Sequence, residues 1–222
     1  MQEQDYKIVV RIEIATLLDN NGMLSHKKMD KLARVLSNLH NSGKKLLLVS
    51  SGAIVLGTHK LGMKQQPEAY TDMRAIAAIG QAELIKYYQQ HFMEYNHIVA
   101  QVLITQDITE SLERVQNAKT TFDALLSMNI IPIINENDAV STSDIELDDN
   151  YPLALKVARI VDARMILIKI DTNGKFMIVP RKNKKSVIVD DEKKLIGYIE
   201  QMIIEQENNQ VEFPASIGEI LV

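Results

Sequence analysis

The chain contains no cysteine and no tryptophan, and aromatic residues make up only 5% of its 222 residues. Without cysteine there can be no disulfide and no thiolate metal site, and the compartment this suggests is the cytoplasm. No apolar run approaches the ~20 residues of a membrane helix, and no signal-peptide pattern precedes the first strand, so no membrane partner is expected. A basic surplus is also lacking: 25 Lys and Arg face 29 Asp and Glu, a net charge of −4, which argues against a nucleic-acid partner. The five histidines (His26, His40, His59, His91, His97) show no metal-ligand spacing. No metal site is expected, and His91 and His97 read as surface or partly packed residues. What is present is ordinary globular material, 46% apolar and 24% charged. A chain this long can bury one full core. The reading is a single domain over 1–206 and a loosely ordered tail over 207–222, with Pro214 and Gly218 as breakers.

Hydrophobic periodicity alternates between strand and helix. Ile8, Val9 and Val10 open the first strand, and Asp19-Asn20-Asn21-Gly22 is turn chemistry. Ser25 is placed to cap a helix whose apolar stripe is Met29, Leu32, Leu36 and Leu39. Leu46-Leu47-Leu48-Val49 is the next strand. Short and long helices are predicted over Ala53 to Leu61 and Asp72 to Tyr95. Gly80 inside the second costs up to ~1 kcal/mol unless something packs closely there. A strand over Val99 to Thr105, a helix over Ser111 to Met128 and the Ile130 strand follow. Tyr151-Pro152 after an Asn150 cap starts another helix, with proline at the first helical position. Arg164 to Lys169 is a strand, Lys175 to Val179 and Ser186 to Val189 suit a hairpin, and Asp190 to Gln206 suits a last helix. The fold class is therefore α/β, a three-layer αβα sandwich on a mainly parallel sheet.

Two strands end in polar residues. Ile130-Ile131-Pro132-Ile133-Ile134 runs into Asn135-Glu136-Asn137-Asp138, and Val49 runs into Ser50-Ser51-Gly52 ahead of a helix. Ligands of open α/β sheets bind outside the carboxyl ends of strands, and helix N-termini suit anions. The competing reading is an ordinary polar loop. For the acids from Asp144 to Asp149 the competing reading is helix capping and solubility.

Val49-Ser50-Ser51-Gly52-Ala53, Ala78-Ile79-Gly80-Gln81, Gln101 to Thr105, Asn117-Ala118 and Pro132 to Asp138 together resemble the glutamate 5-kinase group of the amino acid kinase superfamily. The resemblance runs from about residue 7 to about residue 183. It implies an eight-stranded, mainly parallel sheet and ATP-dependent phosphorylation of the glutamate side-chain carboxylate, the first step of proline synthesis. By the same resemblance Ser51 and Gly52 border the amino acid, Asp138 holds its amino group, and Asp149 and Asn150 contact it. Arg181 falls in the family's Asp-Pro-Arg segment. Arg11 stands where the family has a catalytic lysine, and Asp171 lies in the segment that borders the nucleotide. ATP and Mg would be the cofactors of an active enzyme, and the resemblance implies a homo-oligomer or a pairing with an active homologue.

The nucleotide half departs from this pattern. Glu13 occupies a glycine of the phosphate loop, and glycine is what lets backbone N–H groups reach phosphate oxygens. Two unit charges at ~4 Å repel by roughly 4 kcal/mol at an effective dielectric of ~20. Arg11 presents a wide planar fork where a lysine point charge is usual. Tyr151 replaces an aspartate that orients the family's lysines, and Lys169 replaces the first aspartate of the nucleotide segment. No Gly-Thr-Gly-Gly-Met-x-Thr-Lys motif stands between Tyr198 and Val222. Phosphoryl transfer rests on positioning and charge neutralisation. Three readings follow: a glutamate-binding homologue without efficient ATP use, an active divergent kinase, or an assembly protein without ligand.

Overall fold

A computed structural model describes residues 6–67, 69–141, 150–170, 175–179, 187–189, 194–199 and 201. Strand β1 (Lys7–Ile12) leads through a 3₁₀ turn (Ile14–Leu17) to α1 (His26–Asn41) and β2 (Lys45–Ser50). Helices α2 (Ala53–Lys60) and α3 (Tyr70–Met93) precede β3 (Val99–Ile104), a second 3₁₀ turn (Gln106–Glu110), α4 (Leu112–Ser127) and β4 (Ile131–Glu136). Helix α5 (Tyr151–Ile160), β5 (Arg164–Ile170), β6 (Phe176–Val179) and β7 (Val187–Val189) complete the order. Residues 194–199 are helical. Asp149, Asp171, Arg181 and the tail 207–222 lie outside the described residues.

Residue parity in the strands builds two cores. Ile8, Val10 and Ile12 of β1, with Leu46 and Leu48 of β2, pack against Leu32, Leu36 and Leu39 of α1 and Leu84, Tyr88 and Phe92 of α3. Val9, Leu47, Val49 and Ile134 point the other way, onto Val115, Phe122 and Leu126 of α4 and Leu153 and Val157 of α5. A strand apolar at every position is buried on both faces, which is what a parallel sheet between helix layers demands. Each such side chain contributes about 1.5–3 kcal/mol by leaving water.

The strand order is β3-β4-β2-β1-β5-β6-β7. The first five strands are parallel, and β6 and β7 run antiparallel, as the hairpin reading of 175–189 requires. The described residues form seven strands where the family resemblance implied eight. Ser25 caps α1, its Oγ accepting from the Lys28 N–H at 3.4 Å. Gly80 has the close neighbour its cost implied. A Cβ there would lie 1.7 Å from the Ala53 carbonyl oxygen, because α2 crosses α3 backbone to backbone.

Two local readings change. Tyr151, not Pro152, is the first residue of α5, and the Asn150 side chain makes no cap bond to that helix. His91 is buried rather than superficial: its Nε2 lies 3.2 Å from His26 Nδ1 across the seam between α1 and α3. Among the described residues no helix is long and apolar enough to cross a membrane.

Candidate functional site

Helices α1 and α3 cover one face of the sheet and α4 and α5 the other. The chain therefore leaves β2 toward one face and β4 toward the other, although the two strands are neighbours. Such a switch opens a crevice at the carboxyl ends. Leu48 and Val49 register with Ile133 and Ile134, so the polar run after β2 meets the polar run at the end of β4.

Asn150 closes the crevice. Its Nδ2 donates to the Ser50 carbonyl at 2.6 Å and to Asn135 Oδ1 at 2.6 Å. Asn135 Oδ1 also accepts from the Glu136 backbone N–H at 2.8 Å, and Asn135 Nδ2 donates to Gln81 Oε1 at 2.6 Å. Ser50 Oγ lies 2.8 Å from the Tyr88 hydroxyl, whose complete burial pushes its pKa far above the ordinary range, so it stays neutral. Side chains from β2, β4, α3 and Asn150, the residue before α5, thus share one buried polar network. A buried network of this kind rigidifies its surroundings only when its members are satisfied.

Some members are not. Among the described residues, Ser51 is 4% exposed and its Oγ has no hydrogen-bond partner. Gln81 is 8% exposed and its Nε2 has none among those residues either. Asp138 carries no hydrogen bond or ion pair among the described residues, and burial, helped by Glu136, raises its pKa to about 6. Glu136 is held, with Oε2 accepting from Gln106 Nε2 and Oε1 from Ser141 Oγ, each at 3.0 Å. Gly52 has φ +101 and starts α2, a conformation that L side chains rarely adopt.

The end of β1 is built differently. Ile14 is fully buried and packs on Gly52, where an added Cβ would lie 2.4 Å from Ile14 Cγ2. Glu13 caps the 3₁₀ turn with its carbonyl, which accepts from the Thr16 N–H and hydroxyl. Its carboxylate goes to Lys169, Nζ to Oε2 at 2.5 Å. Both residues line an open cleft of about 820 Å³ with Thr16, Ser25 and Lys28. Arg11 is 7% exposed and sits inside β1, on the parity of Val9.

Asn150 therefore meets the Ser50 carbonyl, immediately before Ser51 and Gly52 in the chain. Asp138 lies beside the crevice, around the turn after β4, in a separate cavity with Gln81. Arg11 is one residue short of the strand end. The sequence pattern that defines the Amino acid kinase family matches residues 16–193. The chain belongs to that family. It is 39% identical over 199 residues to a glutamate 5-kinase of Clostridium perfringens, a match covering 88% of this chain and 74% of the relative. A glutamate 5-kinase of Enterococcus faecalis is 39% identical over 193 residues, covering 85% and 71%. Among solved structures, a carbamate kinase from Giardia aligns with a TM-score of 0.52 at 15% identity, covering 75% of this chain and 74% of that one, which speaks for the fold.

Within this amino acid kinase crevice the sequence reading passed over Ser50, Gln81, Tyr88 and Asn135 as individual site residues. Gln81 was detectable as the polar member of the stripe Ala77, Gln81, Leu84, Tyr88, since a polar residue on a buried helical face needs a partner. Asn135 was detectable as the first polar residue after an apolar strand. Nothing local links Ser50 to Tyr88, 38 residues apart.

Proposed function

We propose that this glutamate 5-kinase-like chain binds glutamate at the crevice between β2 and β4 and phosphorylates it poorly or not at all. The Lys169–Glu13 pair carries this reading. The acidic side chain and its lysine line the corner where the resemblance puts a glycine loop and the triphosphate. Buried Ile14 occupies the next position, and an apolar side chain donates nothing to phosphate. ATP and Mg fit this corner badly: Glu13 stands where the resemblance puts the glycine that opens the backbone, and the Lys169 ammonium is already paired with it. Ser51, Gly52 and Asn150 are the amino-acid side of the site, with Asp138 as counter-ion of the ammonium. Such a chain would act as a ligand-binding or regulatory homologue, as a homo-oligomer or beside an active kinase.

An active divergent glutamate 5-kinase is the second reading, favoured by 39% identity across most of the chain. In it Arg11 takes the place of the lysine. Titration calorimetry with L-glutamate and with ATP–Mg²⁺, each alone, separates the two, with a hydroxamate assay for the acyl phosphate. Heat from glutamate, none from nucleotide and no acyl phosphate above background is the expected result. Steady turnover abolished by Arg11→Ala would overturn it.

A further inference from the structure

Tyr88 is 0% exposed, and its ring packs on Phe92 at a centroid distance of 6.4 Å. Phenylalanine would fill the same space without burying a hydroxyl, and a buried hydroxyl costs free energy unless it is bonded. Among the described residues the Tyr88 hydroxyl has one partner, Ser50 Oγ at 2.8 Å. Ser50 Oγ has a second, the Ser51 carbonyl at 3.3 Å.

The need to satisfy each proton gives this chain of contacts its direction. A carbonyl only accepts, so the Ser50 proton goes to the Ser51 oxygen. Tyr88 then donates its own proton to Ser50 Oγ. The reverse order would bury the phenolic proton without an acceptor and leave the Ser51 carbonyl without this donor. Burial also holds the Tyr88 pKa far above its ordinary value, so the proton stays in place near neutral pH.

The relay ends on the backbone of the turn after β2. In a planar trans peptide C=O and N–H point opposite ways, and no described peptide is cis. Drawing the Ser51 carbonyl toward the buried hydroxyls therefore turns the Gly52 N–H away from them, at the head of α2. The carbonyl of the preceding residue, Ser50, is held separately by Asn150 Nδ2 at 2.6 Å. Two consecutive peptides are thus pinned, one from α3 and one from Asn150.

We propose that Tyr88 is a positioning residue, which through Ser50 Oγ sets the plane of the Ser51–Gly52 peptide. Its effect on affinity rests on the reading that this turn borders the amino acid, whereas the orientation of the peptide does not. A turn fixed before the ligand arrives loses less binding energy to ordering.

The test uses the full chain and two readouts, the ¹³C resonance of the Ser51 carbonyl and calorimetry with L-glutamate. Tyr88→Phe keeps the ring and removes the proton, 37 residues away in sequence from the carbonyl it governs. It should shift that resonance and weaken L-glutamate by roughly 3- to 10-fold, the scale of one net hydrogen bond. Adding it to Ser50→Ala should cost no more than about a further twofold, since both residues act through one atom. Phe92→Leu disturbs the same packing and leaves both hydroxyls in place. It should lower the melting temperature while keeping the L-glutamate dissociation constant within about twofold.

An unmoved Ser51 resonance in Tyr88→Phe overturns the assignment, and a moved resonance with an unchanged constant overturns the positioning role. Equal weakening by Phe92→Leu overturns it too, because packing alone would then suffice. No heat from L-glutamate in the wild type overturns the functional reading, and the resonance still decides the orientation of the peptide. Should Tyr88→Phe not fold, Ser50→Ala breaks the same relay, and an L-glutamate constant unchanged in that variant overturns the proposal.

Discussion

Lys169 Nζ lies 2.5 Å from Glu13 Oε2, and the two residues sit one rung beyond the last registered pair of β1 and β5, Ile12 with Ile168. Each departs from the pattern that the resemblance implies, and each answers the other. Taken alone, Glu13 repels a phosphate. Taken with Lys169, the corner has no net charge, and the barrier to nucleotide becomes bulk, a lost glycine and a lysine already engaged. Removing the acid should therefore act twice, freeing the lysine and opening the backbone. Glu13→Gly should strengthen ATP–Mg²⁺ binding by about 10- to 1,000-fold, the upper end being one full ~4 kcal/mol attraction gained from the freed Lys169. Calorimetric dissociation constants check it, and an unchanged value means this corner does not control nucleotide access.

Lys169→Met tests the same contact from the other side. It leaves a half-buried carboxylate without its counter-ion, while nucleotide binding gains nothing. A half-exposed pair is worth about 0.5–1 kcal/mol. For a chain of this size that is a melting temperature lower by about 2–4 °C. The loss should disappear in the Glu13→Gly background, which thermal melts of the four proteins in the cycle will show.

The layers, the mainly parallel sheet and the positions of α1 to α4 were legible because they follow from local periodicity: apolar strands buried on both faces, and an amphipathic α1 capped by Ser25. The two clusters of polar strand ends were legible for the same reason. What stayed hidden was pairing across the chain. Asn150 reads locally as a cap, yet its side chain turns inward because an unpaired Ser50 carbonyl and Asn135 amide cost more than a missing cap. Lys169 and Glu13 each read as a loss, and only the parallel register of β1 and β5 makes them a pair. His26 and His91, 65 residues apart, meet because α3 crosses α1.

Asn150→Asp tests the crevice network. The carboxylate would face the Ser50 carbonyl and Asn135 Oδ1, both now at 2.6 Å, acceptor against acceptor. Asn150 is 7% exposed, so water cannot relieve the contact. The expected loss is about 2–4 kcal/mol by urea unfolding. Asn150→Ala, which removes the donor without adding charge, should cost less.

Two glycines should respond with opposite signs. Gly80→Ala improves helix propensity by up to ~1 kcal/mol. Its Cβ would nonetheless sit 1.7 Å from the Ala53 oxygen and 2.5 Å from the Gly57 nitrogen, neither of which can yield without parting α2 from α3. A net loss of about 3 kcal/mol or more is expected. Gly197, in the helical residues 194–199, has open space around it. Gly197→Ala should stabilise by about 0.5–1 kcal/mol, and the pair of melts isolates the close helix crossing from propensity.

The pH dependence of stability carries two contributions of opposite sign. Burial lowers the pKa values of His40, His91 and His97, reinforced at His91 by His26 and at His97 by His40, although Asp30 and Glu94 work against it at His91. The unfolded chain therefore takes these protons first, and stability is lost as pH falls below about 6.5. Asp138 is raised to about 6, so between about pH 4 and 6 the folded state holds a proton that the unfolded chain has released. Its contribution falls as pH rises through that window and stays unfavourable above it. Asp138→Asn should consequently be more stable than the wild type near pH 7.5, by about 1–3 kcal/mol, with the gap closing toward pH 4. The histidine contribution remains in that variant, so its stability should still rise between about pH 5 and 7. Urea unfolding of both proteins across this range measures the two separately, and a gap independent of pH would mean that Asp138 ionises alike in the folded and unfolded chains.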